Sequence, residues 1–113
     1  MFAGYITINI SSPNTEGLRD FHDQGELKKL LSGLNKIINE KKIECPIAIK
    51  ISPDIKDDEI SKIVDLVSSH NIKGIVVSNT TDSNRDNLSD IKKHEVGGLS
   101  GQPLKDISTN LIK

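Results

Sequence analysis

Cysteine, aromatic residues and long apolar runs are all scarce in this chain of 113 residues. Its one thiol, Cys45, excludes an internal disulfide and fits a reducing compartment. Placed just before Pro46 at the start of an apolar run, Cys45 reads as a packing residue rather than a nucleophile. With aromatics at 3%, the core has to be assembled from Ile, Leu and Val. No sign of charge dominates either. The formal net charge is -1, with lysines mixed among Asp and Glu, so there is no electrostatic footprint for nucleic acid. Nothing approaches the length of a membrane span, and the first residues lack the basic-then-apolar layout of a secretion signal. The expectation is one small domain, kept inside a cell or organelle, with small molecules or protein as partners. His22, His70 and His94 lie far apart without ligand spacing, which argues against a metal site. Asparagine triplets at Asn9, Asn79 and Asn87 fit the glycosylation pattern, but without a secretion signal that pattern is idle.

What is present begins with an alternating run. Ile6, Ile8 and Ile10 share one face of a strand and Tyr5, Thr7 and Asn9 the other. A dense polar stretch, Asn9 to Thr15, follows at once, with Pro13 fixing the chain direction. The carboxamides and hydroxyls there can meet a planar polar ligand, and a rigid hydroxyl can pass a proton; an ordinary Ser/Pro/Asn turn is the plain alternative. After a loop through Gly17 and Arg19, Asp23 offers an N-cap with Glu26 three residues on. Leu27, Leu30, Leu31, Leu34, Ile37 and Ile38 then mark one helical stripe. Pro46 opens a second strand with Ile47, Ile49 and Ile51 on one face and Ala48 and Lys50 on the other. A lysine there is either a blunted sheet edge or a charge with a task. Asp57, Asp58 and Glu59 start a second helix with the stripe Ile60, Ile63, Val64 and Val67, and Asn71 can stop it.

Gly74 to Ser78 reads as a third, short strand, ending in Ser78-Asn79-Thr80-Thr81. Residues 82–96 have no apolar period and read as a mobile loop or a cover. Gly97 to Gly101 lacks the spacing of a nucleotide fingerprint. A helical beginning over 106–113 then breaks off, as in a cut chain.

Strand, helix, strand, helix, strand at this spacing predicts right-handed β-α-β units on a parallel sheet. An open doubly wound sheet or part of a (β/α)8 barrel would serve. Asn9, Lys50 and Ser78-Asn79-Thr80 all fall at or beyond the C-terminal ends of strands, where barrel enzymes build their sites. Asn9 and Lys50 also alternate against isoleucines, which puts them on the lumen side, whereas an open sheet would show longer two-sided apolar runs. The expected fold is therefore α/β: a partial (β/α)8 TIM barrel of about three central units, residues 1–113 forming a single fragment of the barrel. Two strand edges are left to be covered by missing barrel parts or by self-association.

With those residues in place, the sequence resembles the class 2, quinone-reducing dihydroorotate dehydrogenases over essentially its whole length. The strings that carry the likeness are ITINISSPNTEGLRD, AIKISPD, IVVSNTT and GGLSGQPLKDIST. The resemblance implies an FMN enzyme that oxidises dihydroorotate to orotate in pyrimidine synthesis and passes electrons to ubiquinone at a bacterial or mitochondrial inner membrane. It implies Ser12 as catalytic base, where class 1 relatives carry cysteine. Asn9 matches a contact to both flavin and substrate; Asn14, Asn79 and Thr80 match substrate contacts. Lys50, Ser78 (where threonine is more usual) and Gly101 match flavin contacts. Complete members also have membrane-associated helices and first strands before this segment and a flavin-phosphate site after it, so the chain is expected to be inactive alone. A truncated, non-catalytic remnant that binds no flavin is the alternative. Other flavin-dependent barrels, such as dihydropyrimidine or dihydrouridine enzymes, resemble a cysteine-bearing loop instead.

Overall fold

A computed structural model of the chain describes residues 3–12, 14–83 and 85–113; Pro13, read above as setting the chain direction, lies outside them. The alternating runs form three short strands, β1 (Ile6–Asn9), β2 (Ile47–Lys50) and β3 (Gly74–Val76). They pair in parallel in the order β1-β2-β3. Two helices, α1 (Gln24–Lys41) and α2 (Asp57–Ser69), make the crossovers. Sequential order with a helix after each strand is the arrangement of a barrel wall.

Local chemistry sets where each helix starts. The Asp23 carboxylate accepts the N–H groups of Gly25 and Glu26, which otherwise have no intrahelical partner. At α2, Glu59 reaches back to the Lys56 N–H at 3.1 Å, and Asp57, Asp58 and Glu59 place negative charge at the positive end of the helix dipole. The loop expected before α1 is not irregular, because Leu18–His22 coils as a short 3₁₀ helix.

Both helices lie against the isoleucine face of the sheet. Ile10, Ile47, Ile49, Ile51 and Ile72 pack there with Leu27, Leu31 and Ile38 of α1 and Ile63, Leu66 and Val67 of α2. Full burial of each such side chain is worth about 1.5–3 kcal/mol, so the facing of β2 is strongly fixed. A one-residue slip would drive Lys50 into this core. The helical stripes are narrower than the sequence suggests: Ile37 is 50% and Val64 44% exposed, while Leu66 is buried in Val64's stead.

Beyond β3 the chain makes a closed excursion. Thr81 and Leu99 exchange both backbone hydrogen bonds as an isolated antiparallel bridge. Between them the Arg85 guanidinium donates to the carbonyls of Lys93, Glu95 and Gly97. Residues 82–96, read as a loop without pattern, are thus internally tied and contain a second 3₁₀ turn, Ile91–His94. The last helix, α3 (Gln102–Asn110), starts earlier than the expected 106–113, and Pro103 sits in its first turn, where a missing N–H costs nothing.

Candidate functional site

The face of the sheet away from the helices carries the polar side chains. Asn9 and Lys50 are register partners at the C-terminal ends of β1 and β2, and Val76 is the partner of Lys50 on β3. Neighbouring parallel strands present register partners on the same side, so the carboxamide and the ammonium stand next to each other. β2 is the central strand. The blunted-edge explanation of Lys50 therefore fails. Its ammonium makes no hydrogen bond or ion pair among the described residues, although the residue is half-buried.

Asn79 is drawn into the same group through the backbone and through a side chain. Its N–H donates to the Ile51 carbonyl at 3.0 Å, which holds the end of β3 against the end of β2. Its Nδ2 donates to Ser11 Oγ at 3.1 Å, and Ser11 Oγ donates to Asn9 Oδ1 at 2.8 Å. Asn9, Ser11 and Asn79 thus form a hydrogen-bonded bridge from the end of β1 to the end of β3, with Lys50 between them. Ser11 is wholly buried. The sequence reading had no role for it; the one signal is the Asn-x-Ser spacing, in which an Asn side chain captures the N–H two residues on, here at 3.1 Å.

The other expected residues are placed less tightly. Ser12 is half-buried, and its Oγ accepts the Asn14 N–H at 3.3 Å; the Asn14 side chain is exposed. Ser78 Oγ lies 2.9 Å from Ser108 Oγ of α3 and donates to the Asn79 carbonyl at 3.0 Å. The Thr80 N–H donates to Asn79 Oδ1 at 2.9 Å. At Gly101 the backbone itself demands glycine (φ +79°), and a Cβ there would meet no heavy atom within 4 Å, so the position is open. Gly98 is the tight one: a Cβ would collide with the Thr80 hydroxyl.

A second constellation, also unforeseen, ties the loops around this group. Arg19 bridges Asp54 at 3.1 Å and Asp82 at 3.0 Å. The other oxygen of Asp54 accepts hydrogen bonds from the hydroxyls of Thr81 and Ser83. Burial works against ionisation of Asp54, but the hydrogen bonds from Thr81, Ser83 and Asp82 outweigh it and hold the carboxyl below its usual range. No group of three His, Cys, Asp or Glu side chains suited to a metal ion occurs among the described residues.

Comparison with known proteins identifies the family and the fold. The family model described as dihydroorotate dehydrogenase matches residues 1–113. A protein named dihydroorotate dehydrogenase (quinone) from Christiangramia forsetii is 42% identical over 112 residues, covering 99% of this chain and 33% of the relative. Its namesake from Shewanella frigidimarina is 44% identical over 117 residues, with 99% and 34% covered. The chain spans about a third of the length of these relatives. Among solved structures, ligand-free DHODH from Eimeria tenella superposes with a TM-score of 0.89 at 33% identity, covering 98% of this chain and 35% of that one. The same enzyme in complex with ferulenol gives 0.91 at 32% identity, with 98% and 34% covered. Those neighbours are TIM-barrel enzymes, and the sheet described above is a three-strand section of such a barrel. With the family match running from first residue to last and the fold superposing on these barrels, the chain belongs to the dihydroorotate dehydrogenase family.

Proposed function

We propose that the chain is a central portion of the catalytic barrel of a class 2 dihydroorotate dehydrogenase, which oxidises dihydroorotate to orotate in pyrimidine synthesis. The observation that carries this reading is the row formed by Asn9, Lys50 and, through Ser11, Asn79 on the open face of the sheet. FMN fits that face: an ammonium without an acidic partner suits a cofactor that gains negative charge on reduction, and the space at Gly101 admits close approach. Asn9, Lys50, Ser78 and Gly101 would hold it. When bound, FMN supplies the hydride acceptor.

In this reading Asn9, Asn14, Asn79 and Thr80 hold the substrate ring, and Ser12 takes the proton from the carbon next to the one that loses hydride. A serine hydroxyl is a weak base, so its proton must pass onward. Among the described residues the only hydrogen bond to Ser12 Oγ is the N–H of Asn14, which leaves water as the outlet. Electrons then pass to ubiquinone at a membrane. No described helix is long and apolar enough to cross one.

The alternative reading is a non-catalytic remnant that binds no flavin. The colour of the purified protein separates the two. Stoichiometric flavin absorbance ends the remnant reading, whereas a colourless, self-associating sample ends independent catalysis. In the complete barrel, Ser12→Ala is expected to slow flavin reduction by dihydroorotate about 10²–10⁴-fold while flavin content is kept. Unchanged reduction kinetics would remove Ser12 from its role.

A further inference from the structure

We propose that Ser11 is a positioning residue whose hydroxyl ties the carboxamide of Asn79 to that of Asn9 and so holds Asn79 in place; this rests on the functional reading above. An asparagine amide can be turned end for end with little change in shape, so its oxygen and nitrogen are told apart only by their partners. Here two backbone N–H groups decide. The Ser11 N–H can only donate, so the atom of Asn9 that it meets is Oδ1. The Thr80 N–H can only donate, so the atom of Asn79 that it meets is Oδ1. Asn79 Nδ2 must therefore be the donor to Ser11 Oγ, and the hydroxyl, with that lone pair taken, sends its own proton to Asn9 Oδ1.

The chain of hydrogen bonds runs one way, from Asn79 through Ser11 to Asn9. Both asparagine oxygens are engaged inside the protein. Asn9 Oδ1 accepts two hydrogen bonds and Asn79 Oδ1 one, so what remains for a ligand is the donor NH₂ group of Asn9 and, on Asn79, the second hydrogen of Nδ2 and one lone pair of Oδ1. The edge of the ligand that lies against Asn9 must carry acceptors, such as ring carbonyls or a carboxylate. Ser11 itself is wholly buried and touches no ligand; it acts through its two neighbours. The coupling is unequal. Without the hydroxyl, Asn9 keeps the Ser11 N–H, whereas Asn79 Nδ2 loses its acceptor and its carboxamide is held by the Thr80 N–H alone.

The test is a double-mutant cycle on orotate affinity, measured by calorimetric titration of the flavin-loaded complete enzyme. Ser11→Ala is expected to raise the orotate Kd about 10-fold, the effect of stranding one covered donor. Added to Asn79→Ala, the same change should do almost nothing, because the residue it acts through is gone. Additive effects of the two substitutions would overturn the proposal, since a merely structural serine does not depend on Asn79. An orotate Kd for Ser11→Ala equal to that of the parent would overturn it as well. Should the alanine variant fail to fold, Ser11→Cys keeps the side-chain size but hydrogen-bonds weakly. It is expected to show a smaller loss of the same kind, and parental affinity in it refutes the role. A parent enzyme that binds no orotate refutes the functional reading itself, which is a different result from a parent that binds and variants that match it.

Discussion

The imidazole of His22 is 8% exposed and held between two backbone groups, with Nδ1 2.9 Å from the Arg19 carbonyl and Nε2 accepting the Ser52 N–H at 3.2 Å. An N–H must donate, so Nε2 carries no proton and the ring is neutral with its hydrogen on Nδ1. Burial pushes the His22 pKa below 6.5, and the Arg19 charge adds to this; the Arg19 carbonyl and Glu59 oppose it. The sign for stability follows. A lowered folded-state pKa means that the unfolded chain binds the proton first, so stability is intact above pH 6.5 and falls as the pH drops from there toward the folded value. Thermal unfolding from pH 7.5 down to 5 is expected to show a falling Tm, and His22→Gln, which can accept but not titrate, should flatten that slope. A Tm independent of pH over this range in the parent chain would refute it. At this scale the sequence was partly legible. The residue types at Asn9, Lys50 and Asn79 announced polar chemistry beside isoleucines, but Ser11, Asp54 and His22 act through partners about 30 or more positions away, and no local pattern encodes such a pairing.

Elements are joined here by one carboxylate. Asp54, in the turn after β2, receives Arg19 from the 3₁₀ turn ahead of α1 and the hydroxyls of Thr81 and Ser83 from the segment after β3. Its side chain is 17% exposed, so removal takes a partner from three side chains at once, the buried Thr81 hydroxyl among them, at a cost of about 1–3 kcal/mol for a group left covered and unpaired. Asp54→Ala is expected to loosen the 82–96 excursion, visible as faster tryptic cleavage at Arg85, Lys92 and Lys93, while sites within α1 stay protected. Equal cleavage rates in variant and parent would show that the hub is not what holds the loop. The helices were read well because apolar spacing reports a face directly. Where the reading erred, geometry explains why. With about 100° per residue, Val64 and Leu66 flank the Ile63–Val67 line at equal angles, and packing against α1, not periodicity, chose Leu66. Ile37 lies about 100° from the line of Leu27, Leu31 and Ile38 and turns outward for the same reason.

The molecule as a whole is a wall with one finished side. Its helices cover the isoleucine face, the polar face is open, and β1 and β3 each present an outer edge without a strand partner among the described residues. Ile6 on the β1 edge is 42% exposed and Tyr5 beside it 65%. Unpaired, flat and partly apolar edges recruit other strands, so the isolated chain is expected to run larger than one chain in size-exclusion chromatography with light scattering. A stable monomer would contradict this. Strand order and parallel pairing were readable from element spacing; closure by Thr81 and Leu99 was not, because an isolated bridge leaves no periodic trace. That bridge has a consequence for how such segments diverge. Since its two residues are tied to each other, the distance between the ends of the excursion does not depend on how much chain lies between them, and closing a longer loop adds only slowly to the entropic cost. Length can therefore be gained or lost there over evolutionary time while Thr80 and the origin of α3 stay where they are.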